Sequence, residues 1–128
     1  MLRVVMGINM FTHGAVRLFG DYSGFVGWVE KTFSGTILPG ILVTGVGWAI
    51  PPIEFVIGIL LVTGTLTFSA LLASGGLMSV LVFGMCLKQN WGTVADQMIY
   101  TGLFSALLFG LRFNECSVDG LLMKKYED

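Results

Sequence analysis

Between residue 45 and residue 111 the chain carries only three charged side chains, Glu54, Lys88 and Asp96. Stretches this long and this apolar limit what the chain can become. A helix crosses the hydrocarbon core of a bilayer with about 20 mostly apolar residues. Residues 45–65, 67–88 and 93–112 meet that requirement, and a less apolar fourth stretch, 2–20, precedes them. Hydrophobic residues make up 55% of the 128 and charged residues 12%. A soluble domain of this size leaves roughly a third of its surface in water and has no means of hiding so much apolar area. A chain this apolar is also excluded from disorder. A net charge of −1 supplies no basic footprint for nucleic acid.

The expected fold is all-α, a membrane four-helix antiparallel bundle. Short turns near residues 63–65 and 89–92 force successive spans to run antiparallel. One membrane domain, 1–112, is followed by a polar tail, 113–128, read as solvated. Residues 21–44 carry Tyr22, Phe25, Trp28 and Phe33, with Phe25, Trp28, Val29 and Thr32 at helical spacing. They are read as a short amphipathic helix in the membrane interface followed by a re-entrant stretch. Thr93 and Asp96 have capping-box spacing. The retained first span lacks a cleavage site before Asp21. Basic residues lean four to three toward both termini in the cytoplasm, at the inner membrane of the cell.

Polar groups inside spans are costly in lipid and mark candidate sites. At 100° per residue, Arg3, Met6, Asn9, Met10, His13 and Arg17 share an arc of roughly 120° on the first helix. Glu54 stands near mid-span behind Pro51 and Pro52. These prolines lack the N–H groups that the carbonyls of Gly47 and Trp48 would bond, so a break or kink is expected there, with Glu54 in the first turn of the half-helix that follows. At about 1.5 Å per residue, His13, Arg17, Gln97 and Tyr100 fall within roughly 3–9 Å of the Glu54 level, all toward the same face. The expected site is a polar pocket opening on that face, with Glu54 meeting the His13 and Arg17 column. Gly102, Ala106 and Gly110, and likewise Ser69, Gly76 and Ser79, read as stripes for close helix contact.

The one histidine forbids a bis-His haem within a protomer, and Cys86 and Cys116, placed at opposite ends, form neither a disulfide nor an iron–sulfur site. No nucleotide or flavin fingerprint is present, and no metal site is expected. A lipid-like quinone is the cofactor class left open.

The segments GINMFTHGAVRLFG, residues 7–20, and IPPIEFVIGILLVTG, residues 50–64, resemble the first and second spans of the DoxX family. The resemblance implies a four-helix inner-membrane protein, with Gly14, Arg17 and Leu18 at first-span positions and Glu54 as the second-span acid. Some DoxX relatives are subunits that pass electrons from reduced sulfur compounds to quinone. Two readings follow. In the first, the chain is a subunit of a membrane oxidoreductase linking reduced sulfur or thiol compounds to quinone. Glu54 and His13 are then its catalytic residues, and Asn9, Arg17, Gln97 and Tyr100 hold the quinone. In the second, it is a non-catalytic membrane module that assembles or anchors a protein partner, with the polar cluster as internal glue. Both are compatible with a homo-oligomer.

Overall fold

The computed structural model describes residues 1–111 and Asp119. Among the described residues the chain is all-helical, with five helices: α1 (Leu2–Phe19), α2 (Tyr22–Phe33), α3 (Gly40–Thr63), α4 (Thr67–Leu87) and α5 (Trp91–Phe109). Two of them, α3 and α4, are long and apolar enough to cross a membrane by length and composition. Only 39% and 28% of their most apolar windows are buried. Large apolar side chains are exposed around the molecule, among them Phe19, Ile41, Phe83, Ile99 and Phe109. Such a surface is matched to lipid and would associate in water.

The tightest packing is between α1 and α3, which run antiparallel. Gly7 lies against Leu61 and Val62, Gly58 against Phe11, and Gly14 against Phe55. A methyl group placed on Gly58 would sit 2.3 Å from the Phe11 backbone nitrogen, and one on Gly14 would sit 2.4 Å from that of Phe55. Backbones this close exclude any side chain larger than hydrogen, the device by which small residues let membrane helices approach. Met6 and Met10 on α1, Ile57 and Leu61 on α3, Leu71 and Met78 on α4 and Phe104 on α5 complete the buried core.

The close contacts therefore lie on α1 and α3, not on the expected stripes of α4 and α5. Nothing lies within 4 Å of a methyl group built on Gly76 or Gly102. Spacing alone showed that a helix face was small. It did not show whether another helix lay opposite.

The expected break at Pro51 and Pro52 is absent, and α3 is helical from Gly40 to Thr63 with both prolines inside it. Glu54 is accordingly mid-helix, about 21 Å along the axis from Gly40 and about 14 Å from Thr63. The physical reason lies in α2. The Tyr22 hydroxyl donates to the Trp48 carbonyl, the group left without a partner by Pro52, and the Tyr22 and Trp48 rings pack edge-on at 4.5 Å. A neighbouring helix thus replaces one of the two lost backbone bonds, as tolerated membrane prolines require. Val26 and Val29 are buried and lie beside Gly47, so α2 is a packed helix lying along the first half of α3. Its Asp21 cap accepts from Gly24 N–H at 2.8 Å.

Two helix ends differ from expectation. Helix α5 starts at Trp91, and its cap is Asn90, which accepts from Thr93 N–H at 3.3 Å. Thr93 and Asp96 are thus inside the helix and form no capping box. Asp119, in the segment read as solvated, is engaged: its carboxylate accepts from Leu66 N–H at 2.9 Å and Thr67 N–H at 2.8 Å. Leu66, at the N-cap of α4, has no capping side chain of its own, so Asp119 satisfies these donors from a distance. Against a desolvation penalty from burial, those bonds from Thr67 and Leu66 hold its carboxyl below the ordinary value. Arg3 closes the same end of the molecule, donating to the Leu61 carbonyl at 2.6 Å and the Val62 carbonyl at 3.3 Å in the last turn of α3. Glu115, Cys116, Lys124 and the other tail groups lie outside the described residues.

Gly58→Ala should lower the melting temperature in detergent, by a destabilisation of about 1–3 kcal/mol from overpacking against backbone. Gly102→Ala, with open space at the site, should leave it unchanged or raise it by up to about 1 kcal/mol of helix propensity. Equal effects at the two positions would contradict the packing described.

Candidate functional site

The glycines that draw α1 onto α3 also set the geometry of the site. One turn beyond Gly14, Arg17 reaches the residue that precedes Phe55. Its Nη1 donates to both carboxylate oxygens of Glu54, at 2.7 and 2.5 Å. Glu54 is almost entirely removed from the surface, its side chain 5% exposed, whereas that of Arg17 is 28% exposed. The guanidinium also stacks over the Phe25 ring of α2, 4.6 Å from its centroid. Three helices thus converge on one charge pair. Arg17 stands in the last turn of α1, where the helix dipole favours a cation. A carboxylate left alone in this setting would be very costly. Paired, the two charges cancel locally, although such a pair breaks roughly even against a well-packed apolar alternative.

The ion pair borders a cavity of about 600 Å³. Helix α2 contributes Phe25, Trp28 and Phe33, α3 contributes Val43, Val46 and Ile50, α4 contributes Ser79 to Leu81 and Phe83 to Met85, and α5 contributes Thr93 and Gln97. Phe33 bridges toward α4, its ring 3.0 Å from where a methyl on Gly84 would stand. The walls are apolar almost throughout. The pocket is therefore not the polar cleft expected, but an apolar chamber with polar groups at a few points.

The expected site residues divide into two groups. Glu54, Arg17 and Gln97 line the cavity together. Asn9, His13 and Tyr100 are not among its lining residues. His13 is exposed on the outer side of α1, Asn9 is half-buried, and neither side chain forms a hydrogen bond among the described residues. Tyr100 is half-buried and packs against the apolar core. The buried face of α1 is centred on Met6, Gly7, Met10 and Gly14, rotated toward the glycines and away from Asn9 and His13. An arc drawn through the polar residues took the column as the centre of the inward face, when the small residues mark that centre. The aromatic wall of α2 was missed as part of the site. The signal available was the i, i+3 spacing of Phe25 and Trp28 opposite an apolar stretch of α3. Among the described residues no group of three His, Cys, Asp or Glu side chains is assembled to hold a metal ion.

Residues 1–97 match the family model described as methylamine utilisation protein MauE. No curated protein and no solved structure matches the chain. The family match corrects the resemblance to DoxX. The shared segments are short: an arginine one turn from a glycine in α1 and a proline before a glutamate in α3. They do not separate one such family from another. A match over 97 of the 128 residues does: the chain belongs to the MauE family of membrane proteins.

The pair should behave as a unit in a thermal series. Arg17→Gln leaves Glu54 buried and uncompensated and should cost about 3–5 kcal/mol. Glu54→Gln should cost less, because Arg17 keeps the Phe25 ring and partial exposure. The double variant Arg17→Gln/Glu54→Gln should be more stable than Arg17→Gln alone, because no uncompensated buried charge remains. Strictly additive losses would show that the two groups do not interact.

Proposed function

We propose that this MauE-family chain is a redox-associated membrane protein of methylamine utilisation whose cavity holds a quinone-type carrier. In this reading α1, α3, α4 and α5 are four antiparallel spans of the inner membrane, with α2 near one face, both termini cytoplasmic, and a protein partner supplying the soluble part of the chemistry. Support for the spans comes from the antiparallel packing of α1 on α3 and from the short links between α3, α4 and α5.

The observation that carries the proposal is the cavity. At about 600 Å³ it lies within the ~300–1,000 Å³ of small-molecule sites, which combine apolar walls with a few placed polar groups. A quinone has that character: a flat ring with oxygen at its edge and an aliphatic tail. Arg17 supplies a hydrogen-bond donor at the chamber's edge, Gln97 a second polar group, and Phe25 and Phe33 faces for the ring. Glu54 is the one carboxylate on the lining and is the proton-exchanging group of this reading. His13, Asn9 and Tyr100 have no place in it.

One observation favours the second reading, a membrane module that assembles a partner. Both oxygens of Glu54 are already taken by Arg17, as structural glue would require. Ligand binding separates the two. Trp28 lines the cavity, so its fluorescence reports on an occupant. Titrating purified protein in detergent with decyl-benzoquinone should give saturable quenching. Val46→Phe, which narrows the chamber, should weaken the saturable component and leave unchanged the linear quenching of quinone dissolved in the micelle. Linear quenching in the unaltered protein would overturn the quinone reading and leave the assembly module.

A further inference from the structure

Among the described residues, one buried side-chain polar atom has no hydrogen-bond partner: Oε1 of Gln97. Native structures contain few such atoms, and leaving one unpaired costs about 1–3 kcal/mol. Gln97 is two turns inside α5 from Trp91, and its side chain lines the cavity. One turn earlier on the same face stands Thr93, which also lines it. Of the other polar groups there, the Glu54 carboxylate is held by Arg17, whose remaining N–H groups can only donate, and the Ser79 hydroxyl donates to the Gly75 carbonyl at 2.9 Å. Gln97 Oε1 is thus, among the described residues, the one buried side-chain polar atom with nothing to bond, and it belongs to the lining of the chamber.

We infer that Gln97 is the residue that reads the head group of the cavity's occupant, an amphipathic ring-headed lipid whose oxygen bonds the Gln97 amide. The inference rests on the quinone reading above and assigns its recognition residue. The amide fixes two properties of the occupant. An amide both donates and accepts, so it bonds a ring carbonyl through Nε2 and, by rotating about its last torsion, a ring hydroxyl through Oε1. The oxidised and reduced forms of one carrier are therefore both accepted at this contact, where Arg17, a donor only, favours a carbonyl. With the head at Gln97, the tail leaves between α2 and α4, past Trp28, Val80 and Phe83, which line the chamber and are each about half exposed at 52%, 48% and 57%. Those side chains face the lipid surroundings of the protein, so the tail enters the bilayer without crossing a polar layer.

The test measures saturable binding of decyl-benzoquinone and of decyl-hydroquinone to the full-length chain and to Gln97→Leu and Gln97→Met. Both replacements are good helix formers of similar reach. Each should weaken both ligands by about tenfold, which corresponds to about 1.4 kcal/mol. The melting temperature without ligand should stay level or rise, because an unpaired buried amide has been removed. That rise separates recognition from a structural role, in which stability would fall. Two folded variants that bind both ligands as tightly as the unaltered chain would overturn the inference and leave the quinone reading standing. Weakened binding of the hydroquinone alone, or a melting temperature that falls with affinity, would also overturn it. Absence of saturable binding by the unaltered chain would overturn the quinone reading itself, and the inference with it.

Discussion

The structure depends on the approach of α1 to α3, and that approach depends on three glycines. Gly7, Gly14 and Gly58 let two backbones meet where a single methyl group would clash. Arg17 and Glu54 can pair only because the helices are this close. The pair in turn compensates a carboxylate whose side chain is almost wholly removed from the surface. The packing and the electrostatics are thus linked: loosen the glycine contact and Glu54 is stranded. Helix α2 adds the third element, with Phe25 on the guanidinium and Tyr22 on the carbonyl that Pro52 leaves free.

What the amino-acid sequence made legible follows from how local each signal is. Apolar length marks helices, and all four expected segments appear, with ends shifted by up to five residues. The pairing of Glu54 with Arg17 was also legible, because depth along a helix can be counted. Rotation about the helix axis was less so. His13 and Asn9 seemed to share the inward arc, yet the glycines turn that face away from them. That α3 continues through its prolines was out of reach for a related reason: the rule for a lost backbone bond is local, and its compensation by Tyr22 comes from another helix. The capping of α4 by Asp119 spans more than fifty residues of chain, beyond the reach of any capping pattern. The α4 and α5 stripes showed small residues correctly and contacts wrongly, since spacing carries no information about what lies opposite.

Family membership and cavity address different questions. The match to methylamine utilisation protein MauE places the chain among membrane proteins of that family and removes the link to DoxX. The chamber beside the ion pair supports the proposal that something lipid-like is held there. The geometry also explains why a pair of buried charges would be worth retaining in such a protein. In the proposed reading, a fixed guanidinium at the border of an apolar cavity orients the polar head of the ligand, and the carboxylate beneath it keeps that cation in place. Gln97 completes the set as the group still in need of a partner.

The central claim is that this chamber, and not the exposed polar side of α1, is where the protein takes a ligand. Photolabelling tests it most directly. A benzoquinone bearing an azide on the ring and a decyl tail is irradiated with the protein in lipid nanodiscs, and the adducts are located by peptide mass spectrometry. The account predicts labels on the cavity walls, at Phe25, Phe33, Val46 or Gln97, displaced by excess decyl-benzoquinone. Labels concentrated around Asn9 and His13, or spread over the lipid-facing surface and insensitive to competitor, would contradict it.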